Sequence, residues 1–458
     1  MTLGIVSYGV HLPVHRLALS EVAAAFGSGS GRGRRVVAAF DEDSTTMAVA
    51  AARGLVPDRS VESLWFATTS PAYAEKTNAA AVHAALGLGE ETFAVDVAGA
   101  VRSGEGALRA AAGSGGLAVL ADVRVGRPGS ADESQAADGA AAFRFGPSAQ
   151  ALAVPVARAC ATAELLDRWR LPSELTASQW EERFGLDSYA PLVAATAGRA
   201  LADAGLASAD LVVVSSPHTR VAADALARLG GADALPMGNA GAADVGIRLA
   251  DALDRAQPGN TILVVSVSDG VVATVWRATD RIDAARPAVS VRQLLAAGRD
   301  VPYPTYLTWR GLLEREAPRR PEPERPAAPP SARNLDWKFA FVGSRCDKCG
   351  FLHLPPQRVC ASCRTVDVMS AAPLTEAIGS VVTFTVDRLA YSLSPPVICA
   401  VIDFDGGGRC LLELADAEPA EVVVGARVGL TFRRLWTTGN VHNYFWKAAL
   451  LGGESVGQ

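Results

Sequence analysis

The chain has 458 residues, enough for two or three domains. Hydrophobic residues make up 49% and charged residues 20%, an ordinary globular balance, and the formal net charge is −5. That sign, with no basic block, argues against nucleic acid as the main partner, and the lack of any run of about 20 apolar residues argues against a membrane span.

The first residues, MTLGIVSYGVHLP, have no basic segment ahead of a long apolar core. They read as a first strand and not as a signal peptide, so a cytoplasmic protein is expected. Further along, short β-rich runs at 63–70, 117–125, 210–217 and 260–270 alternate with helical spacing at 45–56, 78–88, 191–206 and 245–256. Such alternation predicts an α/β domain with buried, largely parallel strands. The pattern also repeats. ATTSPA in the first half is answered by VSSPHT in the second, and AGAVRSGEGALRAA by GNAGAADVGIRLADAL. Two copies of one βαβ-rich unit are expected. In the first copy a strand ends near Val97 and a helix begins near Ser103. Many enzymes place a nucleophile at such a turn; here the position holds Val101.

Residues 314–333 are rich in proline, charge and alanine and read as a semi-rigid linker. Beyond it the texture changes. CDKCGFLHLPPQRVCASC places Cys346, Cys349, Cys360 and Cys363 as two C-x2-C pairs. Four thiolates in two close pairs suit tetrahedral Zn²⁺ and leave no open coordination position, so the metal is expected to be structural. His353 lies between the pairs and reads as a surface residue. Cys160, Cys399 and Cys410 sit among apolar neighbours and read as buried thiols. The clustering of cysteines fits a reducing compartment. From 380 to 450, β-branched runs broken by turns such as 405–408 predict a small closed barrel. Acidic residues accompany its strands and no basic track appears, so nucleic acid is not expected there either.

These stretches converge on a family. Residues 1–312 resemble the thiolase superfamily, in particular hydroxymethylglutaryl-CoA synthase and the ketoacyl synthases, through GIVSYGVHLP, FDEDSTTMAV, LADVRVGRPGSADESQAADGAAA, DRWRLPSELTASQWEERFG, SSPH and GNAGAAD. Residues 335–451 resemble the rubredoxin-like zinc ribbon and OB-fold domain associated with acyl-CoA enzymes. The resemblance implies a duplicated thiolase-like αβαβα fold, with halves at 1–155 and 156–312. A linker at 313–334, a zinc ribbon at 335–370 and a small β-barrel (OB-fold) at 371–451 follow. It also implies a homodimer and a substrate held as a thioester on CoA or on an acyl-carrier protein.

Residue by residue, DVAGAVRSG stands where the family has D-x-x-x-A-C-x-x-G, so Val101 replaces the acylated cysteine. Thr69 stands at the position of the acidic residue, and Asp244 at that of a serine. His218 and Asn239 keep the family's histidine and asparagine. Valine has no lone pair, which excludes an acyl-enzyme at residue 101. Of the four catalytic positions, the serine position not among them, two survive. They imply cysteine-independent carbon–carbon bond formation or cleavage, or direct acyl transfer, with Tyr73, Tyr303 and Tyr306 as acid/base candidates by location. The alternative is a non-catalytic, CoA-binding scaffold beside a separate thiolase-like partner. Arg102 reads as facing solvent, a partner or a phosphate.

Overall fold

The computed structural model describes residues 3–27, 31–284, 286–316, 320, 322–325 and 333–451. Part of the proline-rich segment, namely 317–319, 321 and 326–332, lies outside the described residues. The chain divides into two units. Met1–Ala38, Asp43–His83 and Leu88–Leu312 make the first; Ala39–Glu42, Ala84–Gly87 and Leu313–Gln458 make the second.

The first unit is built on nine strands: β1 Leu3–His11, β2 Ser63–Thr68, β3 Phe93–Ala98, β4 Gly116–Asp122, β5 Gly139–Pro147, β6 Ala153–Thr162, β7 Leu211–Ser215, β8 Thr261–Val267 and β9 Gly270–Ala278. Their order in the sheet is β7-β8-β9-β6-β1-β5-β4-β2-β3. Read outward from the middle, β1-β5-β4-β2 repeats as β6-β9-β8-β7. In each run two antiparallel pairings are followed by a parallel one. The duplication expected from the sequence is therefore present, and only the first half carries an added edge strand, β3. The expectation of a largely parallel sheet is corrected: three of the eight pairings are parallel and five antiparallel. The apolar runs gave no warning, because β4 and β8 are buried along their whole length, and strands covered on both faces read alike in either direction.

Five helices matter for the site: α1 Ser44–Ala52, α2 Ser103–Ser114, α3 Glu182–Asp203, α4 Thr219–Arg228 and α5 Asp244–Arg255. Helix α1 covers strands of the first half and α3 strands of the second, while α2 and α5 pack on each other. In α5, Val245, Leu249 and Leu253 recur at helical spacing toward the core, and Arg248, Asp251 and Arg255 on the other side are ion-paired. Helix α3 starts nine residues before Pro191, where the sequence reading began it, and carries that proline inside.

At the crossing of the two halves the backbones nearly touch. A Cβ on Gly104 would lie 2.2 Å from the carbonyl oxygen of Ala242. Only glycine fits there, for want of space and not because of its φ.

In the second unit, strands Val342–Cys346, Leu352–His353 and Met369–Pro373 form a small sheet. Strands Gly379–Asp387, Val397–Phe404, Arg409–Ala415, Arg427–Thr438 and Val441–Leu450 close into a barrel. Alternate residues Ile398, Ala400, Ile402 and Phe404 point inward, the period-two pattern of a strand with one buried face. Buried Arg433 and Lys447 meet Asp41, Glu42, Glu413 and Asp416, so no charge there is left unpaired. Among the described residues no helix is long and apolar enough to cross a membrane.

The Gly104 contact is directly testable. Gly104→Ala should cost about 1–3 kcal/mol through overpacking. Gly113→Ala, in the same helix with nothing within 4 Å, should be neutral or stabilise by up to about 1 kcal/mol. Equal thermal midpoints for the two variants would contradict the close approach.

Candidate active site and metal centre

His218 precedes α4 and is 3% exposed. Its Nε2 lies 2.6 Å from Oδ2 of Asp167. The contact is short but not aligned as a straight hydrogen bond, and Nδ1 has no protein partner. Gly185 of α3 lies beside the ring; a Cβ there would make an ordinary contact, 3.9 Å from Nδ1. Asp167 is itself buried. Burial alone would raise its pKa, but the close contact and charge of His218, with a hydrogen bond from Tyr189, outweigh it and hold the carboxyl below its ordinary value. The Tyr189 phenol is raised, by burial first and by Asp167 second. Its oxygen also accepts the Asp269 N–H at 3.1 Å.

Asn239 is 5% exposed. Its Oδ1 accepts from the Gly241 N–H at 3.0 Å and from Arg124 at 3.3 Å, so the oxygen caps the short turn Gly241–Ala243 that leads into α5. Its Nδ2 is buried and has no protein partner. Asp244 holds this loop from below, accepting from Ser215, Arg248 and the Ala240 N–H.

A chain of charges joins the two residues. Asn239 meets Arg124, Arg124 meets Asp132 at 3.2 Å, and Asp132 takes Arg168 at 2.8 and 3.0 Å. Arg168 follows Asp167 in sequence. Burial would raise Asp132, yet the hydrogen bond from Arg168 and the charges of Arg124, Arg168 and Arg35 keep it below its ordinary value.

Thr69 is turned away from acid/base work. Its hydroxyl donates to Asp122 at 3.0 Å. Fully buried Asp122 also accepts from the Thr68 and Ser70 hydroxyls, the Thr69 and Ser70 N–H groups and, at 2.6 Å, the N–H of Ala242. One carboxylate thus ties the turn after β2 to the loop that bears Asn239.

Val101 lies half-buried in the turn before α2. Arg102, expected to face solvent, a partner or a phosphate, is half-buried and engaged within the chain. Its guanidinium donates to the carbonyls of Ser268 and Asp269 at 3.2 and 2.7 Å and to Thr162 at 3.1 Å. Through Asp269 the turn of residue 101 is linked to Tyr189, Asp167 and His218. Glu105, one turn on, is buried; burial pushes its carboxyl up to about 7 against the pull of Arg158 and Arg102.

Two of the three tyrosines are engaged elsewhere. The Tyr303 hydroxyl donates to Glu133 at 3.1 Å, and the Tyr306 oxygen accepts from Arg35 at 2.8 Å, in a separate buried cluster. Tyr73 sits in the loop after β2, its N–H on Asn78. Asp167 and Tyr189 were not singled out by the sequence. The available signal was the opening Asp of DRWRLP, whose partner lies 51 residues away.

The four cysteines converge. All four Sγ atoms lie within 4.8 Å of one another, with Cys346–Cys363 at 3.6 Å and Cys349–Cys360 at 3.5 Å. A tetrahedral ZnS₄ site with bonds of about 2.3 Å needs sulfur spacings of about 3.8 Å, so the set fits Zn²⁺ with no position left for substrate. Each knuckle ends on a left-handed residue, Gly350 (φ +77) and Arg364 (φ +59). His353 is corrected from surface to buried: its strand packs it 5% exposed beside Phe351. Cys160 is corrected from buried to exposed, and Cys399 and Cys410 are partly buried.

The chain matches hydroxymethylglutaryl-CoA synthase of Archaeoglobus fulgidus at 30% identity over 348 residues, covering 68% of this chain and 99% of that protein. The chain belongs to the hydroxymethylglutaryl-CoA synthase family. The enzyme of Aeropyrum pernix matches at 29% over 341 residues, 68% of this chain and 94% of that one. Among solved structures, HMG-CoA synthase complexed with CoA superposes with a TM-score of 0.58 at 17% identity, over 67% of this chain and 89% of that one. The 3-oxoacyl-(acyl carrier protein) synthase III of Pseudomonas aeruginosa PAO1 does so with a TM-score of 0.54 at 18% identity, over 61% and 98%. Two family models match the second unit: the ChsH2 rubredoxin-like zinc ribbon over 339–367 and the ChsH2 C-terminal OB-fold over 374–433. The family's thiolase-like core is thus joined in one chain to a zinc ribbon and an OB-fold.

One zinc per chain should be found by elemental analysis. Cys349→Ser or Cys360→Ser should lose most of it and destabilise the ribbon, since structural zinc is bound by folding. Full zinc content in both variants would contradict a four-thiolate site.

Proposed function

We propose that this protein binds an acyl thioester, carried on CoA or on a carrier protein, and transforms it without an acyl-enzyme at residue 101. The chemistry is aldol-type carbon–carbon bond formation or cleavage, or direct acyl transfer, with His218 and Asn239 at its centre. Family membership supports the thioester. One observation carries the rest: Nδ2 of Asn239 is a buried, unpartnered donor, kept together with a histidine held against a carboxylate. An unpaired buried donor costs free energy, about 1–3 kcal/mol, unless a ligand uses it.

In the aldol direction His218 takes a proton α to the thioester carbonyl. The enolate oxygen accepts from Asn239 Nδ2 and the enolate carbon adds to a second carbonyl. His218 returns its proton to the new alkoxide; the reverse sequence cleaves the bond. In direct transfer His218 takes the proton of a bound nucleophile, which attacks the thioester carbonyl, and the thiolate leaves and takes that proton back from His218. Asp167 orients the ring in both cases. Neither route needs a lone pair at residue 101.

With a panel of acyl-CoAs and carbonyl acceptors, wild type should change the CoA species. His218→Ala and Asn239→Ala should each lower kcat/KM by about 10²–10³-fold, and Asp167→Asn by about tenfold or more. Undiminished rates in His218→Ala, or no turnover by wild type, would overturn this reading; the latter would favour the scaffold.

A further inference from the structure

We infer that Tyr189 is the positioning residue of this site: its hydroxyl holds the Asp167 carboxylate against His218, so that Nε2 keeps the ring proton and Nδ1 is the nitrogen that exchanges protons with substrate. The inference rests on the reading of His218 as the proton-transfer group, and it names the nitrogen that acts.

Tyr189 lies on α3, fully buried in an apolar cluster with Val193, Ala197 and Val271. A phenylalanine would fill the same space, so the hydroxyl needs its own account. A buried hydroxyl costs free energy unless it is hydrogen-bonded. Here its oxygen accepts the Asp269 N–H at 3.1 Å. Its single proton goes to the Asp167 carboxylate, a bond that helps hold that carboxyl low. The Asp269 peptide is itself fixed. Its residue sits in the left-handed region at φ +50, and its carbonyl takes Arg102 at 2.7 Å. Tyr189 therefore has its acceptor side committed and its donor side aimed at Asp167.

Asp167 stands between two groups, His218 and Tyr189, while its sequence neighbour Arg168 is taken by Asp132. A carboxylate can only accept, and its Oδ2 is 2.6 Å from Nε2. Although off the line of a hydrogen bond, that contact is too short for two facing lone pairs. In the neutral imidazole Nε2 therefore carries the proton. The lone pair is left on Nδ1, which is buried and has no protein partner. The Tyr189 ring lies near the same imidazole, with centroids 6.1 Å apart. Without the hydroxyl the carboxylate loses one of its two flanking contacts and is free to turn. The imidazole then loses the group that tells its nitrogens apart.

Nitrogen-15 NMR of the full chain without ligand reads the tautomer, with His218→Ala to assign the signal. At alkaline pH, where an imidazole is neutral, wild type should show the Nε2–H form. Tyr189→Phe, which keeps the ring, should show a mixture. Asp167→Asn, whose amide can donate to a bare nitrogen, should shift toward Nδ1–H. In turnover, Tyr189→Phe should lower kcat/KM by about three- to tenfold and leave KM within about twofold. Because it acts through Asp167, adding it to Asp167→Asn should cost less than about twofold more. An Nδ1–H signal in wild type overturns the inference, and so does a tautomer unchanged in Tyr189→Phe. Losses that multiply in the double variant make Tyr189 a packing residue and overturn it too. If wild type turns over no thioester, the function proposed above fails, and the NMR signals of wild type and Tyr189→Phe still decide where Tyr189 puts the proton.

Discussion

The approach of Gly104 to the Ala242 carbonyl is the constraint on which the first unit depends. It brings the start of α2 and the turn into α5, each the same element of its own half, to within backbone contact. Buried Asp122 holds that crossing by accepting from Thr68, Thr69 and Ser70 on one side and from the Ala242 N–H on the other. A carboxylate in a dry interior is tolerated only when donors surround it, and here they come from both halves. The positions of Val101 and Asn239 follow, since one lies just before Gly104 and the other just before the turn that Asp122 grips.

The same geometry frames the turn that bears Val101 without using its side chain. The frame rests on Asp122, Asp244 and the Arg124–Asp132–Arg168 chain, none of which involves residue 101. Arg102 adds a link of its own, crossing to the Asp269 carbonyl and so to Tyr189 and the His218–Asp167 contact. Valine at 101 offers no lone pair for acylation, and none of these contacts passes through its side chain. The Thr69 hydroxyl likewise donates to Asp122.

Much of this was legible in the sequence for identifiable reasons. The cysteine spacing encodes its own geometry, because two C-x2-C pairs have few ways to bring four sulfurs together. The duplication showed in repeated local patterns. Strand direction was not legible, because a strand buried on both faces has the same apolar run in either sense. Asp167, Tyr189 and Arg102 were missed for a different reason. Each works through a partner between 51 and 167 residues away, and nothing in the local pattern of an Asp, a Tyr or an Arg names such a partner. His353 and Cys160 went wrong in opposite directions because burial is set by which face of a strand is covered.

The central claim is that the site handles a thioester in a thiolase-like pocket without covalent capture. Intact-protein mass after incubation with acyl-CoA tests it most directly, on wild type and on Val101→Cys. The account predicts no acyl adduct on wild type and a stoichiometric adduct on Val101→Cys, because the restored thiol would meet the same carbonyl at the same helix start. An adduct on wild type would contradict the account and, once mapped, would name the true nucleophile.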